Sequence, residues 1–96
     1  MKIPNGNHAI IEKSSMNAPL YSDVILLCDI PEEGLYAGDI GTVVEFHYVE
    51  GVERGYTVEF FDMVGNTVWL VTLPVSSFRR PASTDRPTVR LMDNVA

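Results

Sequence analysis

Short apolar runs, each soon cut off by glycine or proline, leave this chain no stretch that reads as a long helix. Residues 23–28 (Asp-Val-Ile-Leu-Leu-Cys) are almost wholly apolar, the mark of a buried strand. Asp-Ile-Pro-Glu-Glu-Gly at 29–34 breaks that run. Residues 40–48 read as a second strand, and the glycine-flanked polar stretch 50–55 as a hairpin loop. In the third strand, 56–61, Tyr56, Val58 and Phe60 share one face, with Thr57 and Glu59 on the other. A second glycine-containing loop, 62–66, leads to a fourth strand at 67–73. A single 3₁₀ turn fits 74–78, and a short closing strand fits 78–80. The pattern predicts an all-β domain, an antiparallel barrel or sandwich of about five strands. Closure into a barrel removes exposed edges, which suits so small a domain.

With 96 residues the chain has room for one small domain, and 46% apolar residues supply its core. We divide it into a flexible N-terminal arm (1–22), the β domain (23–80) and a flexible basic tail (81–96). No apolar run approaches the roughly 18–20 residues of a membrane helix. The N-terminus lacks the continuous apolar core of a secretory signal. The single cysteine, Cys28, excludes an internal disulfide and, inside its apolar run, is expected to be buried and inert. A cytoplasmic setting follows as the expectation.

The net charge of −6 is unevenly spread. Residues 16–78 hold ten acids against one base, Arg54. Arg79, Arg80, Arg86 and Arg90 then face only Asp85 and Asp93 in the last eighteen residues. An acidic body repels phosphate backbones, so a nucleic-acid partner is disfavoured. A basic protein partner suits it better. The arginine tail either contacts nucleic acid or folds back on an acidic body, its own or a neighbour's.

Three glycines in Gly-Leu-Tyr-Ala-Gly-Asp-Ile-Gly, residues 34–41, suggest a phosphate loop. Such a loop needs a helix after it and, in its commonest form, a Gly-Lys-Ser/Thr ending. Here Thr-Val-Val-Glu-Phe follows, which is strand-like, and Glu32, Glu33 and Asp39 are the wrong charge. We read Gly34, Gly38 and Gly41 as backbone devices of a barrel corner, with Asp39 hydrogen-bonding the turn. His8 and His47 lack metal-ligand spacing. Glu32, Glu33, Glu50 and Glu53 lie in loops with no apolar pocket to raise a pKa. Ser76 and Ser77 have no activating histidine nearby in sequence. No catalysis, cofactor or metal is expected.

The fourth strand is unusual. Val68 and Leu70 share one face, and Trp69, Val71 and Leu73 share the other. A half-exposed strand alternates apolar with polar, so both faces here are expected to be covered. The arm, through Ile3, Ile10 and Ile11, is one cover; a partner or a second copy of the chain, giving a homodimer, is the other. The candidate partner-binding residues are Trp69, Val71 and Leu73 with Phe61, the tryptophan as anchor.

The stretch Asp-Val-Ile-Leu-Leu-Cys-Asp-Ile-Pro-Glu-Glu-Gly-Leu-Tyr-Ala-Gly-Asp-Ile-Gly-Thr-Val-Val-Glu-Phe at 23–46 resembles a small bacterial family of unknown function, number 4926. Tyr-Thr-Val-Glu-Phe-Phe-Asp at 56–62 and Val-Thr-Leu-Pro at 71–74 extend the resemblance, which covers about 23–80. It implies an SH3-like barrel, similar to KOW-type and nitrile-hydratase β-subunit barrels, and carries no catalytic residues. Trp69, where smaller apolar residues are usual, and the tail beyond Arg80 depart from the family pattern. The opening Lys-Ile-Pro-Asn-Gly and Ala-Ile-Ile bear a slighter resemblance to another uncharacterised family, number 6883, expected as a genomic neighbour of the first. That pairing implies a two-gene module such as toxin and antitoxin. The leading expectation is a non-catalytic protein-interaction module, antitoxin- or immunity-like toward a neighbouring gene product, whose partner is basic or offers an apolar groove. The rivals are an accessory subunit of an enzyme and a weak KOW-like nucleic-acid binder.

Overall fold

The computed structural model describes residues 17–48 and 50–92. Its strands are β1 (Asp23–Leu26), β2 (Ile40–His47), β3 (Gly55–Phe61), β4 (Thr67–Pro74) and β5 (Phe78–Arg79). Two 3₁₀ turns, Pro31–Glu33 and Val75–Ser77, complete the elements. The strands form one antiparallel sheet in the order β4-β3-β2-β1-β5. The chain is therefore all-β with the expected five strands, which is consistent with the SH3-like expectation, and the expected 3₁₀ turn precedes the last strand. The end strands β4 and β5 are consecutive in the chain, and no ladder joins them among the described residues.

The sheet curls around one core. Val24, Leu26, Val43, Tyr56, Val58, Phe60 and Phe78 bury their side chains together, joined by Leu35 from the β1–β2 connection. Full burial of a side chain of this size contributes roughly 1.5–3 kcal/mol. The Tyr56 and Phe78 ring centroids stand 6.1 Å apart although they lie on β3 and β5. The packed body also reaches into the segment read as an arm. Ala18 is buried, and its N–H donates to the Tyr56 hydroxyl at 2.7 Å. Tyr21 N–H donates to Val43 O at 2.6 Å, which prolongs the β1–β2 ladder. Ile3, Ile10 and Ile11, the expected cover for β4, lie outside the described residues.

Two bulges aim the side chains. Val43 pairs with Val58 but Glu45 with Thr57, which leaves Val44 as an extra residue on β2. The shift keeps Phe46 on the Tyr56 face, with ring centroids 5.8 Å apart. Phe60 pairs with Trp69 but Phe61 with Thr67, so Val68 is the extra residue on β4.

The β1–β2 connection holds the glycines. Pro31 opens a 3₁₀ turn, and Gly34 closes it in the left-handed region at φ 71°. Gly38 has φ 100°, and its N–H donates to Leu26 O at 2.8 Å. Asp39 hydrogen-bonds and closes the turn: Tyr36 N–H donates to its carboxylate at 2.9 Å, and its own N–H to Tyr36 O at 3.0 Å. Gly41 serves differently. A Cβ there would stand 2.5 Å from Val58 Cγ1 and 3.0 Å from Glu59 O.

Cys28 departs from expectation. The apolar run predicts burial, but β1 ends at Leu26 and the cysteine is exposed. Leu27 N–H still donates to Ser77 O at 2.8 Å, one step past the β1–β5 ladder, and Cys28 lies beyond that last contact.

The two glycines make a paired prediction. Gly41→Ala overpacks the β2–β3 contact and lowers stability by about 1–3 kcal/mol. Gly38→Ala costs roughly 1–2 kcal/mol through backbone strain alone. Gly38→Asn should recover part of that loss, because asparagine tolerates positive φ; Gly41→Asn should recover nothing. Urea midpoints of the four variants check this.

Candidate interaction surface

β4 is an edge strand, and its eight residues carry no charge. Val75 N–H donates to Arg54 O at 2.9 Å just past the β3–β4 ladder. Antiparallel pairs alternate, so Trp69, Val71 and Leu73 direct their backbone groups at β3. Leu70 and Thr72 turn theirs to the open side. Pro74 falls at an open-side position, where the N–H it lacks is not needed. The side chains of Val71 and Leu73 pack on the core. Trp69 shares their face, opposite buried Phe60, yet is 45% exposed. On the outer face Leu70 is 54% exposed. The core thus covers the inner face of β4 at Val71 and Leu73 but not at Trp69, and the described residues leave Leu70 on the outer face half-exposed. Phe61, also half-exposed, stands on the outer face, so the structure separates it from Trp69, Val71 and Leu73.

The outer face also carries a polar chain. Thr57 is only 6% exposed despite its place on the predicted polar face. Its hydroxyl lies 2.7 Å from Thr72 Oγ1 and 2.7 Å from His47 Nε2. Glu45 Oε1 stands 3.6 Å from the same imidazole nitrogen. Those contacts satisfy a buried hydroxyl, as burial requires. Glu53 is likewise structural: its carboxylate accepts from Ser76 N at 2.7 Å and Ser76 Oγ at 3.1 Å. Thr67 Oγ1 donates to the Glu59 carboxylate. Among the described residues no three His, Cys, Asp or Glu side chains converge as metal ligands. No helix among them is long and apolar enough to cross a membrane.

The tail folds back on its own body. Arg79 grips Asp85 with both terminal guanidinium nitrogens, at 2.9 and 2.6 Å. Ala82 N–H adds a third bond to that carboxylate at 2.6 Å. Farther along, Arg90 reaches Asp39 at 2.5 Å. An open groove of about 480 Å³ runs beside this contact, between Ile40, Phe61 and Val68 of the sheet and Val89, Leu91 and Met92 of the tail. Charge asymmetry alone hinted at this arrangement; nothing in the sequence singled out Arg90.

The hydrogen bonds from Arg79, then the Ala82 N–H, hold the Asp85 carboxyl well below the usual carboxylate range. The Asn66 backbone N–H does the same, less strongly, for Asp62. A depressed folded-state pKa gives stability that is present above the unfolded value of about 4 and lost as pH falls through the folded value. The expected outcome is a urea midpoint that is level for these two groups from pH 7 to 5 and drops below pH 4. In Asp85→Asn the drop should be smaller, because one of the two groups no longer titrates.

Compared with known proteins, no curated protein and no solved structure matches the chain. One family model does, over residues 20–80. The match takes in all five strands and the corner at Gly34–Gly41, well over half of the sequence, so the chain belongs to the family described as Domain of unknown function (DUF4926).

Proposed function

We propose that the chain is a non-catalytic protein-interaction module of the cytosol, which meets its partner along β4. The observation that supports this most is an uncharged edge strand with apolar side chains half-exposed on both faces. Edge strands in soluble proteins are blunted by charge, shortness, bulges or proline; β4 has a bulge at Val68 and Pro74 at its end, and the uncharged stretch between them stays open. An added strand would find the outward backbone groups of Leu70 and Thr72, with Trp69 as its aromatic anchor. The acidic body favours a basic partner. An antitoxin- or immunity-like role toward the product of an adjacent gene is the form of this reading that we favour.

A second copy of the chain is the other occupant the edge suits, because an uncharged antiparallel strand is complementary to itself across a two-fold axis. The KOW-like reading draws less support, since Arg79 and Arg90 are engaged with Asp85 and Asp39.

Co-expression with the neighbouring gene product, followed by pull-down and a solution mass, tests the proposal. The expected result is a complex that Trp69→Ala weakens by tenfold or more, about 1.4 kcal/mol, while the variant keeps its β-sheet circular dichroism. A monomer that binds no neighbouring product would reject the reading. Unchanged affinity in a folded Trp69→Ala variant would remove Trp69 as the anchor.

A further inference from the structure

The corner between β1 and β2 holds a guanidinium group. Asp39 is fixed from behind, because its Oδ2 accepts the Tyr36 N–H at 2.9 Å. From in front, Arg90 Nε donates to Oδ1 at 3.1 Å and Arg90 Nη2 to Oδ2 at 2.5 Å. The same Nη2 donates to Gly34 O at 2.9 Å. The guanidinium carbon stands 4.7 Å over the Tyr36 ring. A forked carboxylate, a backbone carbonyl and an aromatic face together fit the planar guanidinium; a lysine ammonium cannot make the fork.

The ligand comes from 51 residues away in sequence. Its immediate neighbours contribute little, Val89 and Leu91 being 78% and 85% exposed, while Met92 is half-exposed. The tail is therefore held here chiefly through one side chain, which is how a replaceable ligand is held. Beside the corner lies the open apolar groove, one wall of which is the tail itself through Val89, Leu91 and Met92, and around it the body carries ten acids against one base over residues 16–78.

We propose that this corner is a binding site for an arginine presented by an extended, basic segment of a partner protein, and that Arg90 occupies it in cis as a built-in competitor. The partner's arginine takes the place of Arg90 against Asp39, Gly34 O and Tyr36. Its aliphatic neighbours take the places of Val89 and Leu91 along Ile40 and Phe61. The tail thereby sets the affinity threshold: a site closed nine parts in ten weakens an incoming ligand about tenfold. The groove reaches Val68 at the start of β4, but the guanidinium contacts lie at Gly34, Tyr36 and Asp39 and do not involve Trp69.

The test uses the full chain and its Arg90→Ala variant with a fluorescein-labelled, end-blocked peptide, Thr-Val-Arg-Leu-Met, read by fluorescence anisotropy. The expected result is binding about tenfold tighter to Arg90→Ala than to the unaltered chain. A peptide with lysine in place of arginine should bind several-fold more weakly, and one with alanine should not bind. Adding Asp39→Asn to the Arg90→Ala chain should abolish binding. Because Asp39 also supports its turn, Tyr36→Leu, which keeps the backbone N–H and removes the ring, serves as the second variant and should weaken binding several-fold. Equal affinity for the two chains, no binding to either, or equal binding of the alanine peptide would overturn the proposal.

Discussion

Two strands approach so closely at Gly41 that no side chain fits between them, and the sheet depends on that approach. β2 lies against Val58, Glu59 and Phe60 of β3 where a Cβ would collide with all three. On its other side Gly41 pairs with Val24 of β1. One bare backbone position thus joins three strands, and Val24, Val43 and Phe60 close over the core around it. A side chain there would push β2 and β3 apart at the point where the sheet must curl. Close packing leaves little slack to absorb such a shift.

The stretch 34–41 serves two ends through different atoms. Its glycines satisfy geometry: Gly34 and Gly38 by positive φ, Gly41 by lack of bulk. Its polar groups then fall to one place. The turn that Gly38 permits brings Asp39 under the Tyr36 N–H and leaves the Gly34 carbonyl beside it. A motif that resembles an anion loop in composition is in fact a cation holder. The reason is that its carboxylate is fixed facing outward and its backbone N–H groups are spent internally, Gly34 on Pro31, Gly38 on Leu26 and Asp39 on Tyr36.

The strands were legible because short β-branched and aromatic runs between glycine-bearing turns have few other ways to bury themselves. The face shared by Tyr56, Val58 and Phe60 followed from alternation and is the core face. The bulges at Val44 and Val68 were not legible. A bulge is a property of two strands in register, and neither strand alone carries a sign of it. The exposure of Cys28 was not legible for a related reason: an apolar run signals burial only as far as the strand extends, and β1 stops at Leu26. The buried hydroxyl of Thr57 escaped notice because His47 and Thr72, which satisfy it, come from the neighbouring strands. For the surface, sequence yielded the uncharged apolar character of β4 but not its position at the edge. The Arg90–Asp39 contact, 51 residues long, was visible only as a separation of charge.

The last strand is only two residues long, yet it pairs with the first. Phe78, almost wholly buried, sits opposite Leu26 at the centre of the core. β2, β3 and β4 can assemble as successive hairpins while the chain is still growing. β1 must wait for residues more than fifty positions later before its second edge is covered. Synthesis therefore passes through a stage in which both β1 and β4 present open edges, and it ends only when Phe78 and Arg79 have left the ribosome.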